Sequence, residues 1–294
     1  MSNFADRLTD AIERKNSCVV VGLDPRPDAL PPDLRNQAQE SKTAAAEAVL
    51  EFNRQVIAAV APHAVAVKPQ AAFYEALGWP GYRAFGETVR FAQEKGLLVI
   101  SDVKRGDVGS TAEAYARAHL EEFGADAVTL NPYLGGDSIA PFLDYVDRGK
   151  GVFILVKTSN PSSVEVQDLD AGGRKLFQRV AELVERWGEP HRGRSGFSAV
   201  GAVVGATFPE AAAELRERMP HAVFLVPGYG AQGGAAEDCR PCFDSRGLGA
   251  VVNSSRGIIF AFAKDRTSRW QDAVAEAARR IKDDLQRVRG GKAT

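Results

Sequence analysis

Short apolar runs rich in valine, isoleucine and alanine recur along the chain. Eight can be counted: Cys18 to Leu23, Ala64 to Val67, Leu97 to Ile100, Ala127 to Leu130, Val152 to Val156, Ala199 to Val204, Ala222 to Val226 and Ala250 to Val252. They are continuous rather than alternating, the pattern of parallel strands covered on both faces. Between them lie helix-like stretches at Thr43 to Ala61, Pro80 to Lys95, Thr111 to Phe123, Ser138 to Asp147, Gly173 to Trp187, Pro209 to Arg218 and Arg269 to Val288. In the last of these, Val274, Ala277, Ala278, Ile281, Leu285 and Val288 form one apolar stripe. The amino-terminal MSNFADRLTDAIERKN carries charges throughout and has no apolar stretch, so it predicts a helix and not a signal peptide. Gly233 to Gly247 is the weakest helical stretch, because Pro241 and several glycines interrupt it.

Eight βα units without a break in composition predict an α/β protein, a single-domain (β/α)8 TIM barrel, rather than an open doubly wound sheet. The expected barrel, with its amino-terminal helix, covers residues 1–288, and Arg289 to Thr294 reads as a flexible tail. The 294 residues suit such a barrel, which typically needs about 250. A general nucleic-acid binder is excluded by the charge balance of 37 basic against 38 acidic residues, since neutralising phosphates calls for a basic excess. Any anion site must therefore be local. No run reaches membrane-spanning length. Three cysteines are too few for a disulfide framework, which predicts a cytoplasmic protein. Cys239 and Cys242 make a CxxC, but with no second pair and only four scattered histidines a structural zinc site is not expected.

In a barrel of this kind the chemistry comes from the carboxyl ends of the strands. Those ends carry Asp24, Lys68, Asp102 with Lys104, Asn131, Thr158 with Ser159, Thr207, Gln232, and Ser255 with Arg256. The densest signal is Ser101-Asp102-Val103-Lys104-Arg105-Gly106-Asp107, directly after an apolar run. If the chain is still extended there, a period of two turns Asp102 and Lys104 to the same side. A bare DxKxxD is compatible with an ordinary salt-bridged surface loop. Asp24 and Lys68, ending two other strands at the same rim, favour an alternating charge array instead.

Gly228, Gly230 and Gly233 fit GxGxxG, yet a dinucleotide fingerprint needs an acidic residue about 20 positions later on the next strand. Here that region reads Gly249-Ala250-Val251-Val252. After a seventh barrel strand, a glycine-rich loop has another use, binding phosphate through backbone N–H groups. Arg256, just past the eighth strand, would supply a bidentate positive partner.

Asp102-Val103-Lys104-Arg105-Gly106-Asp107-Val108-Gly109-Ser110-Thr111 resembles the signature of the orotidine 5'-monophosphate decarboxylases, in particular their longer bacterial subgroup, type 2. Supporting stretches are Val21 to Pro27, Val67 to Glu75, Thr129 to Tyr133, Lys157 to Pro161 and the Pro227 loop. The resemblance implies decarboxylation of orotidine 5'-monophosphate to UMP, the final step of de novo pyrimidine synthesis, with no metal and no organic cofactor. It implies that Asp24 and Lys68 hold the ribose hydroxyls and that Asp102 and Lys104 flank the reacting carbon. Ser159 would hydrogen-bond the pyrimidine and Pro227 line its pocket, while Gln232, Ser255 and Arg256 would serve the phosphate. Asp107 and Thr111 would reach into a neighbouring subunit's site, so a homodimer is expected. Two departures stand out: the family's glycine before the phosphate arginine is Ser255 here, and Pro25 to Gln39 carries no assignable motif.

Two rivals share part of the pattern. A metal-dependent sugar-phosphate decarboxylase or aldolase of the related barrel group also has DxKxxD, but it places a glutamate at the second strand tip to hold Mg2+, where this chain has Lys68. A non-catalytic phosphate-binding barrel would need Gln232 and Arg256 but not the four charges of Asp24, Lys68, Asp102 and Lys104.

Overall fold

The computed structural model describes residues 2–230, 233–263 and 269–290. Among them, eight parallel strands close into a barrel in sequential order. They are β1 (Val19–Leu23), β2 (Ala66–Pro69), β3 (Leu98–Arg105), β4 (Ala127–Leu130), β5 (Gly151–Lys157), β6 (Ser198–Val204), β7 (Ala222–Val226) and β8 (Ala250–Ser254). Closure is made by β8 on β1, where Val19 lies opposite Val252 and Val21 opposite Ser254. Val20, Val67, Val99, Val128, Ile154, Val200, Phe224 and Val251 are all fully buried. Side chains of this type each contribute roughly 1.5–3 kcal/mol when fully buried. The long helices between the strands shield the outer faces, which explains why the strand sequences read as unbroken apolar runs.

The amino-terminal end of the barrel is tied down by specific contacts. The helix Phe4–Lys15 lays Phe4 edge-on against Phe153, with centroids 5.9 Å apart. Gly151 makes room for it: a Cβ there would sit 2.2 Å from the Phe4 ring. Arg7 donates to Asp126 at 2.6 Å and to the Gly149 carbonyl at 2.9 Å. On the opposite side, Arg216 donates to the carbonyls of Met219, Ala222 and Gly249 at 2.9 Å each and of Cys242 at 3.1 Å. Its guanidinium also lies 3.6 Å from the Phe224 ring centroid.

Several boundaries differ from the expected ones for local reasons. The helix expected from Gly173 begins at Leu176, because Gly172 and Gly173 adopt positive φ and Asp170 pairs with Lys175 across the turn. The stretch expected from Thr111 to Phe123 is helical from Gly109 to Arg117 and continues as a π-helical turn, Ala118–Glu122. The helix expected from Ser138 begins at Ala140. Gly233 to Gly247 holds only a 3-10 turn, Glu237–Cys242, around Pro241. The motif-free segment Pro25 to Gln39 contains a short helix, Pro32–Ala38, packed on Lys42–Val60. At the carboxyl end the helix Trp270–Arg289 buries Val274, Ala277, Ala278 and Leu285 of the expected stripe, while Ile281 and Val288 are partly buried. Arg289 is thus its last residue and not the start of a tail, while 291–294 lie outside the described residues. No helix among the described residues is long and apolar enough to cross a membrane.

Candidate active site

Asp102 is the hub of the barrel's carboxyl rim. Its side chain is 6% exposed, and its two oxygens are engaged by two lysines. Lys68, at the end of β2 and 7% exposed, pairs with Oδ2, while Lys104 Nζ donates to Oδ1 at 2.5 Å. Burial works against the Asp102 charge, but Lys68 and Lys104 outweigh it and hold the carboxyl far below the usual carboxylate range. Burial likewise works against the Lys68 ammonium, and the Asp102 and Asp24 carboxylates outweigh it and raise its pKa. Asp24 therefore closes a four-charge array in which the signs alternate. One of its carboxylate oxygens is buried without a hydrogen-bond partner.

The backbone that carries this array departs from the extended strand that a period of two requires. Between Ser101 and Arg105 the pairing of β3 with β4 shifts register, and Lys104 has φ +48°. Asp102 and Lys104 meet, but through a bulge rather than through a period of two. The Thr129 hydroxyl on β4 accepts hydrogen bonds from the N–H groups of Val103 and Lys104 and donates to Asp102 Oδ1, each at 3.0 Å. Beyond the bulge Arg105 pairs with Glu75 and lies 5.1 Å from the Tyr115 ring centroid, which fixes the strand end on the outside.

A cavity of about 520 Å³ opens above these charges, lined among others by Lys68, Asp102, Lys104, Thr129, Ser159 and Pro227. Ser159 stands on the segment after β5. Thr207 donates to its carbonyl at 3.0 Å, and Gln167 grips Thr158 by accepting from its N–H at 2.9 Å and donating to its hydroxyl at 2.8 Å. The same segment is anchored from beneath by Lys157, which donates to Asp168 at 2.8 Å and to Ser163 at 3.2 Å.

Of the remaining expected residues that the structure describes, Arg256, Ser255, Asp107 and Thr111 do not line this cavity. Arg256 is exposed at the start of the short helix Arg256–Ile259, directly after β8. Ser255 packs over Gly22 of β1, where a Cβ would fall 1.8 Å from the Ser255 Oγ. Gly228, Gly230 and Gly233 all have positive φ, and the loop closes on itself through Gly230 N–H to the Gly234 carbonyl at 2.8 Å. Gln232 lies outside the described residues. Asp107 is half-buried at the rim and accepts from the Val108 N–H at 2.9 Å, and Thr111 is exposed on the helix Gly109–Arg117. Neither lines the cavity. Near them in sequence or on the same rim, Val108, Tyr133 and Leu134 are exposed apolar side chains.

The profile of the orotidine 5'-phosphate decarboxylase / HUMPS family matches residues 17–270. The chain belongs to this family. It is 47% identical to the orotidine 5'-phosphate decarboxylase of Rhodopirellula baltica over 301 residues, covering 97% of this chain and 100% of that one. A crystal structure from Toxoplasma gondii superposes with a TM-score of 0.86 at 34% identity, covering 99% of this chain and 98% of that one. The Leishmania donovani OMP decarboxylase superposes with a TM-score of 0.79 at 34% identity, with 98% and 99% covered.

In this decarboxylase-family barrel, two supporting side chains had no role assigned from the sequence, one in the charge array and one beneath the segment that carries Ser159. Thr129 sits inside an apolar run, where a hydroxyl reads as a tolerated strand residue. Lys157 ends such a run and reads as the first solvated residue after a strand, yet it is 2% exposed. Their partners, Asp102 and Asp168, are distant or unmarked in sequence, so no spacing rule could have flagged either residue. Among the described residues no three His, Cys, Asp or Glu side chains gather as a metal-ligand set. Cys239 and Cys242 are buried free thiols, and burial pushes the Cys242 thiol up to about 12.

Proposed function

We propose that this chain carries out the reaction its relatives are named for, the decarboxylation of orotidine 5'-monophosphate to UMP and CO2 in pyrimidine biosynthesis. The observation that carries the reading at the level of chemistry is one buried carboxylate, Asp102, held between the ammonium groups of Lys68 and Lys104 at the floor of a nucleotide-sized cavity. When the bond between the ring carbon and the carboxylate breaks, its electron pair stays on the ring carbon and CO2 departs. No neighbouring carbonyl is arranged to delocalise that charge, so the site must stabilise it directly. Lys104 is the group for this: its ammonium stabilises the developing carbanion and then delivers a proton to it. Asp102 and Lys68 keep the array ionised and fixed, so little reorganisation is needed during the reaction.

Ser159 and Pro227, on the cavity wall, hold the pyrimidine. Asp24 and Lys68 take the ribose hydroxyls, an assignment supported by the unpartnered Asp24 oxygen. Gln232, Ser255 and Arg256 grip the phosphate, and binding there contributes to holding the ring in place. A second copy of the chain supplies Asp107 and Thr111. Their position at the rim and outside the cavity, with exposed Val108 nearby, supports a homodimer in which they complete the neighbouring site.

The metal-dependent alternative is disfavoured because Lys68, where a cation ligand would be needed, is itself a buried cation paired with Asp102. The test is turnover of orotidine 5'-monophosphate in excess EDTA, followed by its loss of absorbance, for the wild type and for Lys104→Ala. Undiminished wild-type activity and a variant slowed by orders of magnitude are expected. A variant within about tenfold of wild type, less than about 1.4 kcal/mol of barrier, contradicts the donor assignment.

A further inference from the structure

We infer that Thr129 is the positioning residue for the Asp102–Lys104 pair: its hydroxyl sets the bulge that aims the Lys104 ammonium. This rests on the reading of Lys104 as proton donor. A hydroxyl has one proton to give and two lone pairs to offer, and Thr129 uses all three. It accepts from the N–H groups of Val103 and Lys104 and donates to Asp102 Oδ1, each at 3.0 Å. The side chain is buried, with the residue 1% exposed, so water does not compete for these bonds.

The position of these bonds gives them their role. The two N–H groups belong to consecutive residues in the stretch where β3 slips register against β4, so the regular ladder does not satisfy them. Lys104 there holds a φ of +48°, a conformation that a lysine rarely adopts and that persists only where surroundings impose it. The Thr129 oxygen is that constraint. The proton it gives goes to the same Asp102 oxygen that accepts from Lys104 Nζ at 2.5 Å. One atom thus fixes the main chain at the root of the lysine and the carboxylate that receives its tip. Thr129 touches the cavity wall but does not need to contact the reacting carbon; it acts through the pair it holds.

The experiment compares Thr129→Val, which keeps the shape and removes the hydroxyl, with Thr129→Ser, which keeps the hydroxyl and removes a methyl. For T129V we expect kcat to fall about 10- to 100-fold, the span of losing one hydrogen bond to a charged group. The calorimetric affinity for UMP should change by less than about threefold, because substrate contacts stay in place. T129S should keep kcat within about threefold of wild type. A purely structural threonine would lower the melting temperature and leave kcat of the folded protein unchanged, and that result overturns the inference. Equal loss of kcat in T129S and T129V also overturns it. If T129V does not fold, Thr129→Ala, which shrinks rather than reshapes the site, carries the same comparison with T129S. Measuring K104A alongside separates the two readings. An active K104A defeats the donor assignment, whereas an inactive K104A with a fully active T129V defeats only the role given to Thr129.

Discussion

Replacing Lys157 by methionine should loosen the segment that carries Ser159 over the cavity while sparing the chemical step. In the wild type the ammonium is sealed at the end of β5, with the side chain 2% exposed. It donates to Asp168 at 2.8 Å and Ser163 at 3.2 Å and lies 4.3 Å from the Phe208 ring centroid. Removing one partner of a fully buried pair costs roughly 3–5 kcal/mol. That figure is too large here, because Asp168 is 26% exposed and can take water, and Lys175 stays 3.7 Å from its other oxygen. The loss is closer to that of one hydrogen bond between charged groups, about 1.5–3 kcal/mol. Methionine fills the same apolar slot between Phe177 and Phe208, so little cavity cost is added. If the segment must be docked for the pyrimidine to bind, a penalty of about 1.4 kcal/mol already raises KM tenfold. Steady-state kinetics of K157M should therefore show KM raised about tenfold or more with kcat within about threefold. Unchanged KM and kcat together with an unchanged melting temperature would refute the reasoning, because the ion pair would then bear on neither the segment nor the fold.

Two further predictions follow from buried groups. His119, packed against Phe85 and Phe123 and hydrogen-bonded to Ser101 at 3.0 Å, has its pKa pushed down by burial to about 4. A folded-state value below the unfolded one means its contribution is complete above about pH 6.5 and is lost as the pH falls towards about 4. Urea denaturation at pH 7.5 and pH 4.5 should show the wild type losing about 2–3 kcal/mol more than His119→Gln, and equal losses would contradict this. Gly22→Ala should destabilise by about 1–3 kcal/mol through overpacking, since its Cβ would fall 1.8 Å from the Ser255 Oγ. Ser255→Gly in the same chain should recover most of that loss. A double-mutant cycle with no coupling would show that the two sites do not share this space.

The barrel was legible because its strands are buried on both faces, so Val19 to Leu23 or Ala222 to Val226 needs no partner sequence to be recognised as a strand. What the apolar runs could not show is where strands continue into polar residues. β3 extends through Asp102 and Lys104 to Arg105, well past the run that ends at Ile100, because Thr129 and Asp102 replace apolar packing with buried hydrogen bonds. The charge array was legible, since Lys68, Asp102 and Lys104 line one cavity, with Ser159 and Pro227 also on its wall. It was illegible at the level of support. Thr129 and Lys157 work through partners 27 and 11 residues away in sequence, one on the neighbouring strand β3 and one in the segment after β5, where no periodic pattern links them. Helix starts were misjudged where glycines intervene, as at Gly172 and Gly173, whose positive φ values turn the chain before Leu176.

Arg216 gathers five carbonyl groups at the end of the barrel opposite the lysines, where β7 and β8 begin. The fastening of these strand starts and the proposed chemistry thereby sit at different poles of the molecule. A lineage, or a protein engineer, could harden the base against heat by reworking the surroundings of that guanidinium and leave the rim's catalytic tuning untouched.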